Sequence, residues 1–143
     1  MRFFTPSELC RSNTAELNHI DNTPNAEHVK NLENLVKHCL DPLREAWGAP
    51  IIVNSGFRCP KVNTLVGGKW NSQHMLGMAA DIRPVHSSDC KKLFELALKV
   101  CEYDQLLLEH TKKSPNNKWI HISCRMPITR NRRNFDPDYV KNA

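Results

Sequence analysis

His74, Asp81 and His121 are the residues of this chain whose types and settings point to chemistry. His74 and Asp81 lie in the run S-Q-H-M-L-G-M-A-A-D at residues 72–81, seven positions apart. They therefore do not share a helical face as an i, i+4 ligand pair would. The residues between them are apolar and broken by Gly77, which predicts a turn carrying His74 and then a buried strand, Ala79 to Ile82, holding Asp81. A carboxylate in such a strand is costly unless something cationic neutralises it. A metal ion is one solution, and the second imidazole needed for a site stands at His121, in the apolar run W-I-H-I-S. Two imidazoles and one carboxylate leave a fourth tetrahedral position for water, which separates a catalytic zinc site from a closed structural one. Zinc lowers the pKa of such a water to about 7 and polarises a carbonyl, as amide hydrolysis requires. His19, His28, His38, His86 and His110 stand in polar or helix-surface contexts and read as surface residues.

Three further residues are placed to assist. Arg58 follows an apolar strand at the Ser55-Gly56 turn, where a guanidinium can bind a carboxylate or developing oxyanion through paired hydrogen bonds. The alternative is an arginine that ties down its own loop. Ser72 and Gln73 precede His74; they orient substrate, hold His74 from behind, or form a plain polar loop.

The elements that must position these residues are legible in outline. Thr5-Pro6-Ser7-Glu8 is a capping box with proline at the first helical position, and Phe4 and Leu9 are spaced for a hydrophobic staple. Asn13 to Glu16 repeats the cap pattern for a second short helix. From about Asn25, apolar residues recur at helical intervals through Val29, Leu32, Val36, Leu40, Leu43 and Trp47. Pro42 should kink or divide that helix and Gly48 should stop it. Ile51 to Val53 reads as a short buried strand, and Cys59-Pro60 opens a brief helix that stops at Gly67-Gly68. Ser87 or Ser88 is placed to cap a helix with an apolar stripe through Cys90, Leu93, Phe94, Ala97 and Cys101. Strands at Gln105–Glu109 and Trp119–Cys124 flank the turn-rich K-K-S-P-N-N and read as a hairpin. The class expected is α+β, with helices on a small, mainly antiparallel sheet.

The totals bound the answer. With 143 residues, 40% apolar and 24% charged, and a mean hydropathy of -0.54, the chain suits one domain with a real core. No apolar run approaches a membrane span, and the N-terminus shows no export signal. The six cysteines contain no C-x-x-C pair and are expected as reduced core residues. The net charge of +5 is concentrated after Cys124, at Arg125, Arg130, Arg132 and Arg133. A domain at 1–125 followed by a basic tail at 126–143 is the expected division, the tail being either solvated or attracted to an anionic polymer. A nucleic-acid-binding reading rests on that tail alone and is the weakest.

Several separated blocks together resemble the zinc D-Ala-D-Ala carboxypeptidase family, subfamily A, which includes phage and bacterial peptidoglycan peptidases and shares its fold with the hedgehog signalling domain. These blocks are F-T-P-S-E-L, S-N-T-A, L-D-P-L-R-E-A-W-G, S-G-F-R at 55–58, S-Q-H-M-L-G-M-A-A-D, and W-I-H-I-S. They run in order over about Phe3 to Arg125. The resemblance implies that His74, Asp81 and His121 ligate Zn2+ and that the chain hydrolyses amide bonds in peptidoglycan peptides. Cleavage at the D-Ala-D-Ala terminus and within the stem peptide are both compatible with it. Many relatives carry an acid three residues before the last histidine; here that position is Lys118. Glu109 is the expected substitute. In the hairpin it lies opposite Trp119, on the face that His121 shares two residues on. Lys118 equally favours an alternative, a zinc-bearing cell-wall or protein binding module that has lost catalysis. The expectations for the protein's setting are a monomer, made in the cytoplasm, that reaches the wall after phage-type lysis or virion delivery, or acts on cytoplasmic precursors.

Overall fold

In the computed structural model, which describes residues 1–141, local signals start the helices where expected. Thr5 accepts from the Glu8 N–H, and the Glu8 carboxylate takes the Thr5 N–H, beginning α1 (Pro6–Cys10). Phe4 and Leu9 are both buried. The cap pattern expected from Asn13 sits one residue earlier: Ser12 accepts from the Ala15 N–H and caps α2 (Asn13–Leu17), while Asn25 caps α3 (Ala26–Leu35). Pro42 has no N–H to give, and the helix accommodates this by widening: a π-helical stretch, Val36–Leu40, links α3 to α4 (Asp41–Trp47) without a break. The chain then forms β1 (Ile51–Ser55), α5 (Pro60–Leu65), a 3₁₀ turn at Gln73–Leu76 and β2 (Ala79–Pro84). The next helix, α6 (Cys90–Val100), starts later than a Ser87 or Ser88 cap implies. Both serines are absorbed in a 3₁₀ turn, Ser87–Asp89, whose backbone bonds occupy the N–H groups that a capping hydroxyl would otherwise serve. β3 (Gln105–Thr111), β4 (Trp119–Ser123) and β5 (Asn134–Lys141) complete the fold.

The strands form one mixed sheet in the order β1-β2-β4-β3-β5, antiparallel except where β5 runs parallel to β3. Alternation divides its two faces. Val53, Ala80, Ile82, Leu106, Leu108, Ile120 and Ile122 are buried against α3, α4 and α6. Asp81, Leu107, Glu109, Trp119 and His121 occupy the other parity and face a cleft, and the register sets Asp81 opposite His121 and His121 opposite Leu107. All six cysteines are free thiols, with Cys39, Cys90, Cys101 and Cys124 buried. No helix among the described residues is long and apolar enough to cross a membrane.

Of the basic segment expected as a tail from residue 126, Asn134–Lys141 joins the sheet as β5 and Ile128–Arg130 forms a 3₁₀ turn ahead of it; Asn142 and Ala143 lie outside the described residues. Its Phe135, Tyr139 and Val140 suit a strand, and the outer edge of β3 offers unpaired backbone groups for it. The same docking corrects the reading of His110. That side chain is buried, and its Nε2 lies 2.7 Å from Asp138 of β5. His28 is also not free in solvent: its Nδ1 accepts from the Asn25 N–H and its ring packs 4.6 Å from Phe57. Replacing Asp138 by Ala should loosen β5 first. The expected loss is about 1 kcal/mol, or roughly 2–4 °C in Tm, with amide exchange rising in β5 and outer β3 before the rest of the sheet. Unchanged exchange in β5 would show that the pair does not hold it.

Candidate metal centre

Each member of the triad is held by a different local device. Asp81 sits in mid-β2 and His121 directly across the ladder in β4, where facing Cβ atoms stand about 5 Å apart. His74 comes from the 3₁₀ turn, whose cap is Ser72: its Oγ accepts from the His74 N–H at 3.2 Å. Gly77 ends that turn in the left-handed region at φ 75°, where a Cβ would also strike the His28 carbonyl. The turn is clamped to the 55–58 loop in both directions. The Arg58 N–H donates to the His74 carbonyl at 3.1 Å, and His74 Nδ1 donates to the Gly56 carbonyl at 2.7 Å. A carbonyl only accepts, so Nδ1 carries the proton and Nε2 presents its lone pair. Gly56 is required there, because a Cβ would drive into the Leu9 carbonyl of α1.

The ligand atoms of His74, Asp81 and His121 all lie within 4.8 Å of one another. His121 Nδ1 is 3.1 Å and His74 Nε2 is 3.4 Å from Asp81 Oδ1. Ligands about 2.0–2.1 Å from a tetrahedral ion stand roughly 3.3 Å apart, so both spacings match one edge of such a shell. His74 Nε2 is buried with no hydrogen-bond partner; the Asp81 oxygen is near it but not in line for a bond. A buried, unsatisfied ring nitrogen 3.4 Å from a carboxylate oxygen fits a metal ligand, and a two-imidazole, one-carboxylate set suits zinc. Burial pushes the His74 pKa down in spite of Asp81, keeping the ring neutral as a ligand must be. Burial works against ionisation of Asp81, but the two imidazoles outweigh it and hold the carboxyl well below its usual range.

Arg58 supports the centre from behind. It is buried, with Nε donating to Ser55 Oγ at 3.0 Å, one terminal nitrogen to Asn63 Oδ1 at 3.2 Å, and the other to Asp81 Oδ2 at 3.2 Å. Three of its five N–H donors are thus engaged and two remain for a ligand. Asn63, on α5, and Asn22, in a loop, are positioning residues that pattern reading missed, since a single asparagine adds nothing to an apolar period. Asn63 holds Arg58 and donates to the Lys69 carbonyl; Asn22 takes the Cys59 N–H and donates to the Cys10 and Phe57 carbonyls.

The triad opens into a cleft of about 420 Å³ that Arg58, Ser72, Gln73 and Glu109 also line. Gln73 Nε2 donates to Asp104 Oδ2 at 2.8 Å, and its Oε1 is buried without a partner. Glu109 stands opposite Trp119 in the register, and Oε2 accepts from the indole N–H at 2.7 Å. Burial raises the Glu109 pKa, and the Asp81 charge adds to this against the opposing pull of His121, Lys141 and Trp119. Lys118 does not line the cleft; its charge is felt by Cys90 on α6, whose thiol burial pushes up to about 11. Tyr139, Val140 and Lys141 of β5 complete the far wall, which composition alone had consigned to a tail.

Comparison with known proteins places these features in a lineage. A family model described as Peptidase M15 matches residues 2–123. The chain is also 52% identical over 44 residues to the zinc D-Ala-D-Ala carboxypeptidase of Streptomyces albus G. That stretch is 30% of this chain and 17% of the relative, so the chain matches only a small part of the relative's length.

The Gly56–His74 clamp yields a specific expectation. Zinc titration should give close to one equivalent for the wild type, and His121→Ala should lose most of it. Gly56→Ala, which alters no ligand, should weaken zinc affinity about 10- to 100-fold by displacing the carbonyl that orients His74. Wild-type affinity in Gly56→Ala, or full zinc retention in His121→Ala, would contradict this construction of the site.

Proposed function

The chain belongs to the peptidase M15 family, and from that premise we propose that it is a zinc peptidase hydrolysing amide bonds in the peptide part of peptidoglycan. The observation that carries the proposal is the buried, unpartnered His74 Nε2 beside Asp81 and His121, in a cleft that also holds Glu109. The substrate class follows the match to a zinc D-Ala-D-Ala carboxypeptidase. Cleavage at the terminal D-Ala or inside the stem are the two forms this activity would take.

Zinc held by His74, Asp81 and His121 supplies Lewis acidity, polarising the scissile carbonyl and bringing the pKa of water towards about 7. The remaining work falls to the protein's own groups. Glu109 takes a proton from the attacking water as the new C–O bond forms. It returns that proton to the amide nitrogen as the C–N bond breaks, and the second water proton passes from the new carboxyl group to the amine, giving a carboxylate and an ammonium. Trp119 engages Oε2, which fixes the carboxylate plane and leaves Oε1 for the proton. The raised Glu109 pKa moves the group closer to the range in which a base also returns its proton. Arg58 anchors Asp81 and offers its two remaining N–H donors to substrate oxygen. Gln73 Oε1, fixed by the Nε2 contact to Asp104, is an acceptor for a substrate N–H.

Digestion of purified peptidoglycan, with released fragments identified by mass spectrometry, tests the activity and names the bond. Glu109→Gln keeps the Trp119 contact and removes the proton-accepting charge. It is expected to fold, keep its zinc and turn over at least about 100-fold more slowly. Wild-type turnover in that variant would assign the base elsewhere. No cleavage by the zinc-loaded wild type would leave a zinc-bearing binding module in the enzyme's place.

A further inference from the structure

The wall of the metal cleft holds a second arginine besides Arg58, and the two are used in opposite ways. Arg58 is buried, and all three of its nitrogens are engaged, by Ser55, Asn63 and Asp81. Arg125 has a side chain 43% exposed and is held by Nε alone, which donates to Asp104 Oδ2 at 2.9 Å. Its two terminal nitrogens have no partner among the described residues. The backbone of Arg125 is fixed on both sides. Its N–H donates to Asn131 Oδ1 at 2.8 Å, and its carbonyl accepts from Asn34 Nδ2 at 3.2 Å. An arginine tied at its main chain and at Nε presents an oriented, unoccupied fork of N–H donors. The two lysines that line the cleft are placed differently: Lys69 and Lys141 each stand 5.9 Å over an aromatic ring, of Tyr139 and Trp119 respectively.

The fork also has a defined place in the cleft. Asp104 is itself buried, and the Oδ2 that accepts from Arg125 accepts from Gln73 Nε2 as well, at 2.8 Å. One oxygen thus sets the Gln73 carboxamide and the Arg125 guanidinium side by side. Gln73 immediately precedes the ligand His74, and its Oε1 is buried without a partner. The register puts Glu109 and Trp119 on one side of His121 and the Ser123–Ala79 pair on the other, the end from which the chain runs on to Arg125. Base and fork therefore flank the triad, with Gln73 between His74 and Arg125.

We propose that Arg125 is a specificity-determining residue, whose fork receives a free α-carboxylate on the substrate residue that supplies the scissile nitrogen. The proposal deepens the peptidase reading above and rests on it for the identity of the substrate. With the scissile carbonyl beside the triad and the amide N–H on Gln73 Oε1, the group on the adjoining carbon falls to the neighbour of Gln73, which is Arg125. A carboxylate there accepts two parallel N–H bonds, the pairing that guanidinium geometry favours. An amidated carboxyl turns one of those acceptors into a donor that opposes an N–H. Two kinds of residue carry the required group: the C-terminal residue of a peptide, and a glutamate linked onward through its γ-carboxyl. Asp104 is the positioning residue, since it holds Nε and leaves the terminal donors to the ligand. Arg125 lies just beyond the residues 2–123 that match the family, so the segment after β4 supplies this selectivity.

The test uses two pairs of acylated peptides. In the first, a C-terminal D-Ala-D-Ala ends in a free acid or in an amide. In the second, an Ala-Glu peptide extended through the glutamate γ-carboxyl to a C-terminal amide has its α-carboxyl free or amidated. Each is titrated by calorimetry into the full-length, zinc-loaded Glu109→Gln protein, which reads binding apart from turnover. In at least one pair the acid should bind roughly five- to twentyfold more tightly than the amide, an advantage that shrinks as salt rises. The pair that shows it names the source of the carboxylate. When the same protein also carries Arg125→Gln, the acid should fall to the affinity of the amide, while amide binding and zinc stoichiometry stay unchanged. Arg125→Lys, which keeps the charge without the fork, should retain only part of the preference. Equal binding of acid and amide in both pairs overturns the proposal. So does an Arg125→Gln protein that loses affinity for acid and amide alike, because the side chain then only braces Asp104. If the wild type cleaves peptidoglycan but neither pair shows a preference, the peptidase reading stands and the carboxylate receptor falls. If an Arg125-dependent preference appears and nothing is cleaved, the receptor stands and the peptidase reading falls.

Discussion

A carboxylate buried in the middle of a sheet has to be compensated, and the fold of this protein is arranged around compensating one. Asp81 is 7% exposed and lies in β2 beside the buried Ala79, Ala80 and Ile82, with Arg83 and Pro84 completing the strand. Left alone among those apolar neighbours it would ionise only at large cost, or not at all. It is met on one side by the Arg58 guanidinium and on the other by His121 and His74. The two sides do different work. Arg58 balances the charge and fixes Oδ2, which leaves Oδ1 facing the imidazoles of His74 and His121. The protein alone does not finish the arrangement: His74 Nε2 stays buried and unsatisfied, and an orphan of that kind costs about 1–3 kcal/mol. A divalent cation resolves it, which is why metal binding and local stability should be linked here.

The demand for fixed geometry accounts for the loop chemistry around the site. Gly56, Arg58 and His74 exchange backbone and ring hydrogen bonds across two segments that are far apart in sequence. Leu9 of α1 closes on the same point, accepting from the Phe57 N–H at 2.8 Å. The capping box of α1 therefore contributes to the metal site through one carbonyl. Ser72 illustrates how local a role can be: its hydroxyl caps the turn that carries His74, so it positions a ligand whatever it does with substrate.

The sheet edges divide the remaining labour. On the β3 side, β5 covers the edge, buries His110 through Asp138 and brings Tyr139 and Lys141 to the cleft. On the β1 side no further strand pairs among the described residues. Covering the β3 edge limits unwanted strand pairing on that side.

Sequence by itself determined whatever is encoded within a few residues or by periodicity. The capping box at Thr5, the stop at Gly48, the stripe on α6, the turn before Asp81 and the hairpin between Glu109 and Trp119 are all of that kind. The hairpin mattered most, because register along two adjacent strands is enough to set Glu109 on the face of His121. Tertiary structure alone decided the contacts between segments without a periodic relation. Asn63, on α5, and Asn22, in a loop, look like ordinary polar residues until their amides are seen holding Arg58 and the 57–59 backbone. His110 reads as polar surface until β5 covers it, and β5 reads as a charged tail because five of its neighbours and members are Arg or Asp. What recruits that segment is the unpaired edge of β3, a feature that exists only once β3 and β4 have paired. Local propensity reports what a segment prefers alone, while burial and edge pairing depend on what the rest of the chain has already put in place.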